Sequence, residues 1–458
     1  MRYYLIHLFF AIMALTGCKK FLDEKPDLNR VQPSRAEDLY ALLDNAMEIN
    51  GKFTGFIEMG CDDYTLNASA YSELSTFYQD VYIWKPDLIY TVADITLQWL
   101  NAYTPIMTAN VVEESLDRLD HISETDRKLL KGRALFVKGL AYSVLAQTFA
   151  EPFNAKSENL GKGIVWRNSS DPNEKSIRLN VGQSYERIIA LLEEAAQLLP
   201  ESASDSTKPS KEACYALLSR IYLWMQDYER SLYYSELALA LNNHLIDYSK
   251  VDGSPLFPFT AMNEETLYFA YCNGSMTTLQ NTADVSEELY DSYEEDDLRK
   301  TLYFYEKSPG QIGFRGHYMG MDFGSFVGPT VAELYLIKAE CQVRLGNTDQ
   351  GMVTMGILLE NRWRKKADGA SSLDLPSFSI GEDALRYILK ERRKELVFRG
   401  ARWADLRRLN LDERFAITIE RSIDMDGKAV KYTLPPNDRR YTYPIPKEVE
   451  EKLGSNEK

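Results

Sequence analysis

The stretch CYALLSRIYLWMQDYERSLYYSELALALNN, residues 214–243, has the pattern of two paired helices. Apolar residues follow helical spacing on both sides of a short polar break, Gln226-Asp227. Small and aromatic residues recur at the positions where two packed helices must touch. These positions are Tyr215, Leu218, Ser219 and Tyr222 on the first helix and Tyr228, Ser231 and Ala238 on the second. The stretch therefore predicts an antiparallel helix pair.

Two further parts of the chain repeat this pattern. Residues 331–363 place Gly346 in the turn and Gly351 at the close-packing position of a second helix. A third pair is split in the sequence. Residues 132–149 and residues 185–200 each have the pattern of one helix, and a polar insertion lies between them. The copies resemble tetratricopeptide repeats, so we expect such helix pairs near 132–200, 214–243 and 331–363.

The rest of the chain divides into a helical start and an irregular middle. Ser34-Arg35-Ala36-Glu37 has the form of a capping box, and residues 97–119 follow helical spacing. Residues 244–328 are loop-rich, since prolines and glycines break the chain and six glycines fall between Gly310 and Gly328. The predicted fold is therefore mainly α, with helix pairs, a loop-rich portion and a few short strands.

The N-terminus has the features of a secretory signal. The apolar segment of residues 3–15 is too short to span a bilayer, which needs about 20 apolar residues. Leu15-Thr16-Gly17-Cys18 follows it and resembles the lipobox of bacterial lipoproteins. The resemblance implies a signal peptide over 1–17, lipidation of Cys18, and an anchor and tether over 18–30. The alternative is an ordinary signal peptide with a chance cysteine.

Composition excludes several classes of function. A formal net charge of −15 argues against nucleic-acid binding, which depends on lysine and arginine to neutralise phosphates. The cysteines after Cys18 are widely spaced, without a CxxC or a Cys/His cluster, so we expect buried thiols rather than a zinc site. They are Cys61, Cys214, Cys272 and Cys341.

Four blocks of sequence carry a family resemblance. In chain order they are CKKFLDEKP at 18–26, YEEDDLRK at 293–300, ERRKELVFRGARWADLRR at 391–408 and YTLPPNDRRYTYPIPKE at 432–448. Together with the lipobox they resemble the SusD/RagB family of Bacteroidetes outer-membrane lipoproteins. The resemblance implies one SusD-like domain over 31–458, with family motifs over 391–448.

The same resemblance implies a function and a place in the cell. Proteins of this family capture an extracellular nutrient, most often an oligosaccharide or other glycan, at the outer-membrane surface. They deliver it to a SusC-like TonB-dependent barrel and act as a lid over its mouth. We therefore expect a lipid-anchored binding protein that is not an enzyme, with a glycan ligand and a barrel partner.

Aromatic residues among acids and amides mark two candidate ligand-binding segments. Tyrosine and tryptophan offer a flat apolar face with a polar tip, which suits stacking on a sugar ring. The alternative is that these rings pack beneath a long loop. The candidates are Asp62, Asp63, Tyr64, Tyr71, Tyr78, Tyr82 and Trp84 in the first segment, and Phe314, Tyr318 and Phe323 in the second.

The charged blocks favour structural roles over catalysis or metal binding. In the 391–408 block, Glu395 and Arg399 are four residues apart and could pair across a helical turn, while Leu396, Phe398 and Trp403 face inward. The acidic run at 294–297 could attract calcium but lacks the ligand spacing and glycine of an EF-hand. A solvated loop held by Arg299 is the better interpretation, and no cofactor is predicted.

Three other functions remain open from the sequence. Some relatives capture peptides, as RagB-like lipoproteins do. The helix pairs could also form a protein-interaction scaffold, because concave repeat surfaces bind peptides. A glycoside hydrolase would need two carboxyl groups about 5 to 10 Å apart across a cleft, and the sequence identifies no such pair.

Overall fold

The structure, a computed structural model, describes residues 32–272, 282–321, 324–425 and 427–456. These residues form a mainly helical fold with short two-stranded ribbons, which confirms the predicted fold class. The predicted signal peptide, Cys18 and the tether lie outside the described residues. Within the described ranges, no helix has the length and apolar character needed to cross a bilayer.

The N-terminal part consists of short elements followed by one long helix. Ser34 does not form the predicted capping box with Glu37: Arg35 occupies the N-cap of the first helix and makes no side-chain cap. Instead, the Ser34 amide and hydroxyl donate to the carboxylate of Asp38, at 2.9 and 3.1 Å. The elements are α1 (Ala36–Leu43), α2 (Ala46–Ile49), α3 (Phe56–Met59), β1 (Tyr64–Thr65), α4 (Ala68–Glu73), α5 (Thr76–Tyr82) and α6 (Thr96–Arg118).

Two of the predicted helix pairs follow. The split pair forms as α7 against α8, with the ribbon β2–β3 in the insertion, and the 214–243 pair forms as α9 against α10. In the second pair the hydroxyls of Ser219 and Ser231 each donate to the other's carbonyl, at 3.0 and 2.9 Å, so the two helices approach closely. The elements are α7 (Glu124–Phe149), β2 (Lys162–Trp166), β3 (Ile177–Asn180), α8 (Val181–Leu198), α9 (Lys211–Trp224) and α10 (Tyr228–Leu241).

The middle of the chain is irregular, as predicted. Its strands form antiparallel ribbons, and one of them joins β1 to β5 by pairing Tyr64 with Val285. The first candidate segment therefore lies beside the loop-rich portion. The elements are β4 (Tyr271–Cys272), β5 (Asp284–Val285), α11 (Glu287–Asp291), α12 (Leu298–Tyr303), β6 (Phe304–Ser308), β7 (Gln311–Phe314) and β8 (Ser325–Phe326).

The C-terminal part contains the third predicted helix pair, α13 against α14. Gly346 takes φ +90° in the turn, and a Cβ on Gly351 would lie 2.4 Å from Val343, so both glycines are required there. The elements are α13 (Val331–Arg344), α14 (Thr348–Glu360), α15 (Gly381–Glu395), α16 (Arg402–Leu409), β9 (Ile419–Met425), β10 (Lys428–Leu434) and α17 (Lys447–Asn456).

A buried network of ion pairs joins these parts. Arg362 pairs with Glu265 at 2.7 Å and with Glu395 at 3.0 Å, and all three side chains are 0% exposed. Arg299 pairs with Glu395 at 3.3 Å and with Asp297 at 2.8 Å, and is equally buried. Charges at this depth are tolerated only when each has its partner, so the network fixes how the surrounding elements meet.

Two expectations about the charged blocks are wrong, and other predictions from the sequence are confirmed. Glu395 does not pair with Arg399, because α15 ends at Glu395 and Arg399 stacks on the Tyr318 ring, 3.6 Å from its centroid. Arg299 holds the acidic run as predicted, but Asp297 is buried rather than solvated. Leu396, Phe398 and Trp403 face inward and the four cysteines are free, buried thiols, which confirms both predictions.

Candidate functional site

The predicted stacking rings are mostly part of the core. Six of them are at most 7% exposed and have no face open to a ligand. These six rings pack in the interior, which agrees with the alternative interpretation of the sequence. Tyr78 is half-buried and packs edge-on against Phe77, with the ring centroids 5.1 Å apart. Phe323 lies outside the described residues. The six buried rings are Tyr64, Tyr71, Tyr82, Trp84, Phe314 and Tyr318.

Three of these rings surround a buried arginine, an arrangement called the aromatic cage below. The Arg421 guanidinium lies 3.9 Å from the ring centroid of Tyr82, 4.5 Å from Trp84 and 4.9 Å from Tyr64. It donates to backbone carbonyls, including that of Met59 at 3.0 Å. Cation–π contacts of this kind are strongest where water is excluded, so the rings stabilise a cation rather than bind a sugar.

The two predicted acidic ligands are also engaged within the fold. Asp62 accepts from Arg402 through both carboxylate oxygens, at 2.6 and 2.8 Å, and Asp63 accepts from Arg393 at 2.8 Å. Burial opposes ionisation of Asp62, but Arg402 and Arg393 together outweigh it and hold its pKa well below the usual range. Burial raises the pKa of Asp63. These carboxylates therefore anchor the segment to α15 and α16.

A neighbouring carboxyl group, Glu58, is buried without a cation. It is 1% exposed and accepts a hydrogen bond from the Gly400 amide. Burial, and then the charge of Asp63, raise the pKa of Glu58 to about 8. The folded protein therefore holds a proton on Glu58 between about pH 4.5, where an exposed glutamate ionises, and about pH 8.

Replacing Glu58 by glutamine should flatten the pH dependence of stability. Between pH 4.5, the ordinary pKa of a glutamate, and about 8, the folded state holds one more proton than the unfolded state, so stability falls as pH rises. We expect the unfolding free energy of the wild type to fall by up to about 1.4 kcal/mol per pH unit relative to Glu58→Gln. Denaturation at pH 5, 6.5 and 8 measures this, with the exposed Glu37→Gln as control; identical slopes for wild type and Glu58→Gln would contradict it.

The second candidate segment meets the first in the interior. The Phe398 ring lies 4.9 Å from Phe314 and 6.4 Å from Tyr64, measured between ring centroids. Burial lowers the pKa of His317, beside Phe314, to about 4, so this imidazole is neutral near pH 7. The structure thus brings the two candidate segments together, and it does so through buried rings.

A cavity of 940 Å³ lies next to the first segment and is called the cavity below. Its walls come from the loop after α5, the loop after α7, ribbon β2–β3, the end of α16 and the loop before α17. Trp84 is the predicted binding residue that lines it, beside Tyr441 and Tyr443. A volume of this size is in the range of small-molecule sites.

The rim of the cavity is polar and nearly neutral. Six basic and five acidic side chains line it, and several form exposed pairs. Lys85 pairs with Asp80 at 2.8 Å, and Arg439 pairs with Asp87 at 2.5 Å. Three asparagines line it as well, so donors and acceptors both surround the opening: Asn154, Asn410 and Asn437.

The backbone is strained around this opening. Trp84, Asp87 and Asn437 have φ of 50°, 55° and 59°, a region that side-chain-bearing residues rarely adopt. Each such residue costs about 1–3 kcal/mol and persists only where its surroundings hold it. Here the Trp84 indole donates to Gly60 at 2.9 Å, and Arg440 donates to the Trp84 carbonyl at 2.9 Å.

Sequence reasoning missed most of the cavity. The sequence identifies the 432–448 block only as a family motif, although polar residues within it, such as Asn437 and Arg439, line the cavity. The positions around Lys85 and Asp87 carried a weak signal, because a lysine-proline-aspartate run follows Trp84. Among the residues that the structure describes, no group of three or more His, Cys, Asp or Glu could hold a metal ion.

Comparison with known proteins identifies the family. Residues 20–223 match a family described as starch-binding associating with outer membrane, and residues 331–453 match the SusD family. The SusD-like protein P2 of Formosa agariphila is 24% identical over 379 residues, covering 68% of this chain and 71% of that protein.

Solved structures share the fold. A SusD-like carbohydrate binding protein from Bacteroides vulgatus superposes with a TM-score of 0.68 at 19% identity, over 92% of this chain and 97% of that one. A SusD superfamily protein from Bacteroides thetaiotaomicron gives 0.69 at 19% identity, over 91% and 97%. With the family matches at both ends of the chain and the fold between them, the protein belongs to the SusD family.

Proposed function

We propose that this protein binds an extracellular glycan in the cavity and passes it to a SusC-like TonB-dependent barrel. The observation that carries the proposal is the cavity itself, which is bordered by a paired, nearly neutral polar rim. The family descriptions support it, since one names starch binding and association with the outer membrane, and a structural relative is described as carbohydrate binding.

The chemistry of the rim favours a neutral polyhydroxyl ligand. Sugar hydroxyls both donate and accept hydrogen bonds, and the rim offers carboxylates, ammonium and guanidinium groups, and amides in near balance. A strongly charged ligand would instead select an excess of one sign. Hydrogen bonds from Arg440 to the Trp84 carbonyl and from Asn437 to the Asn410 carbonyl, at 2.9 and 2.8 Å, order part of the rim before binding, which lowers the ordering cost on association.

The mechanism we propose is capture without chemistry. The ligand is held by hydrogen bonds and apolar contact, and a barrel partner then closes over it. A lipid on Cys18, with a tether behind it, would keep the protein at the outer-membrane surface, where two or more acyl chains give stable anchoring. Among the acidic residues of the 391–408 block, Glu391, Glu395 and Asp405 are buried in ion pairs, which supports binding rather than catalysis.

Removing the rim pairs should weaken glycan binding. We expect Asp80→Ala with Lys85→Ala, and separately Asp87→Ala with Arg439→Ala, each to raise the dissociation constant at least about tenfold, which is about 1.4 kcal/mol. Each double variant removes one positive and one negative charge, so the net charge is unchanged. Calorimetry on the full chain as expressed measures this against soluble starch, laminarin, xylan, pectin and a tryptic peptide digest.

The matched control is Glu382→Ala with Arg386→Ala, an exposed pair at 2.6 Å on α15 that does not line the cavity. It should leave affinity unchanged. Binding of a glycan that survives both rim variants would place the ligand elsewhere. Binding of the peptide digest alone would replace the glycan by a peptide ligand.

A further inference from the structure

Four tyrosines form a connected surface on helices α9 and α10, called the tyrosine platform: Tyr215, Tyr222, Tyr233 and Tyr234. Tyr234 lies at its centre, with ring centroids 5.6 Å from Tyr222, 5.9 Å from Tyr215 and 5.2 Å from Tyr233. Tyr233 is 57% exposed, whereas Tyr222 is buried against the helices. The platform shares no residue with the lining of the cavity.

Two rings of the platform, those of Tyr222 and Tyr234, are fixed within the fold. The Tyr234 hydroxyl donates to Glu193 on α8 at 2.8 Å, a bond that links two successive helix pairs. The rings of Tyr222 and Tyr234 are parallel to within 4°, and the Arg230 guanidinium lies 5.3 Å from the Tyr222 centroid. Aromatic rings fixed in this way contribute contact area with little loss of side-chain entropy on binding.

The edges of the platform are polar and carry both charges. Glu193 is exposed and offers a carboxylate, and Arg230 has a side chain that is 62% exposed and pairs with Asp227 at 3.2 Å. The exposed Tyr233 ring belongs to a cluster that also carries a carboxylate bonded to Tyr234 and a guanidinium over Tyr222. This combination suits a pyranose, whose C–H face is apolar and whose hydroxyls lie around its edge. A lone exposed tyrosine would lack these bordering groups.

We propose that the tyrosine platform is a second carbohydrate-contact site, which binds a part of the polysaccharide chain other than the part held in the cavity. It rests on the proposed function for its ligand class. A chain that engages both surfaces gains affinity because the second contact is intramolecular. A short oligosaccharide can occupy only one of the two surfaces at a time.

The test compares variants of the full chain by calorimetry. It uses the polysaccharides named above and a trisaccharide cut from the one that binds. Tyr233→Ala should weaken binding of the polysaccharide about tenfold, while Tyr233→Phe, which keeps the ring, should retain affinity. The trisaccharide, held in the cavity, should bind Tyr233→Ala as it binds the wild type. Val353→Ala is the matched control, since Val353 is also the sixth residue of the second helix of its pair and is 56% exposed.

Each outcome separates the two proposals. Unchanged polysaccharide affinity in Tyr233→Ala overturns the second site, and loss of affinity in the rim variants of the cavity would still support the proposed function. If Tyr233→Ala weakens polysaccharide binding while the rim variants leave it unchanged, the platform is supported as a binding site and the cavity is overturned as one. An effect of Tyr233→Ala on peptide binding alone overturns the carbohydrate assignment of the platform.

Discussion

Replacement of Arg362 by alanine is expected to lower the free energy of unfolding by about 3 to 5 kcal/mol. Arg362 donates to both oxygens of Glu265, at 2.7 and 3.0 Å, and to both oxygens of Glu395, at 3.0 and 3.1 Å. Burial opposes ionisation of Glu395, and Arg362 is the largest of the charges that outweigh it and lower its pKa. Without the guanidinium, the buried Glu265 carboxylate would lose its ion-pair partner, and the buried Glu395 would keep Arg299 at 3.3 Å.

Chemical denaturation followed by circular dichroism measures the effect. Arg364→Ala is the control, because Arg364 lies two residues away and pairs with Asp296 at 3.0 Å with both side chains about half exposed. We expect that variant to change stability by less than about 0.5 kcal/mol. If Arg362→Ala lay within 1 kcal/mol of the wild type, roughly the value of an exposed pair, the remaining arginines would suffice and the network would not depend on Arg362.

Replacement of Arg421 by alanine should have the second-largest effect, a loss of about 3 kcal/mol. The guanidinium is the donor for the backbone carbonyls of Met59, Cys61 and Tyr82, and the aromatic cage closes around it. The substitution would remove the donor to the Cys61 and Tyr82 carbonyls, while the Met59 carbonyl keeps the Tyr64 hydroxyl at 2.8 Å. It would also open a void between Tyr82 and Trp84. Arg421→Lys keeps the charge but cannot reach all three carbonyls, so we expect an intermediate loss.

Tryptophan fluorescence during urea denaturation suits this measurement, because Trp84 is part of the cage. Lys431→Ala, on the partner strand of the same ribbon, is the control: Lys431 pairs with Glu420 at 2.7 Å and both are exposed. Equal stability of Arg421→Ala and Lys431→Ala would show that the cage contributes nothing beyond ordinary surface contacts.

The helix pairs could be predicted from sequence because their determinants are local. Apolar spacing within residues 214–243 and 331–363 indicates a buried face, and glycines such as Gly351 mark the points of closest approach. Such signals need no knowledge of the rest of the chain. Leu396, Phe398 and Trp403 do face inward, but not on the one helix assumed from the sequence, because α15 ends at Glu395 and α16 begins at Arg402.

The candidate site could not be predicted in the same way. Tyr64, Tyr82 and Trp84 lie among acids in the sequence, and that pattern fits an exposed sugar site as well as a buried cation. The residue that decides between them, Arg421, is more than three hundred positions away, and no local pattern links it to the rings. The cavity is assembled from segments equally far apart, so its rim emerges only in three dimensions.

The contacts that hold the first candidate segment also set the order in which the protein can complete its fold. Asp63 meets Arg393 across 330 positions, Asp62 meets Arg402 across 340, and the Met59 carbonyl meets Arg421 across 362. Because a chain emerges N-terminus first, these rings and carboxylates meet their partners only after residues 393–421 have emerged. A truncation upstream of β9 would leave an apolar surface open to aggregation, whereas the helix pair of residues 214–243 closes on itself early.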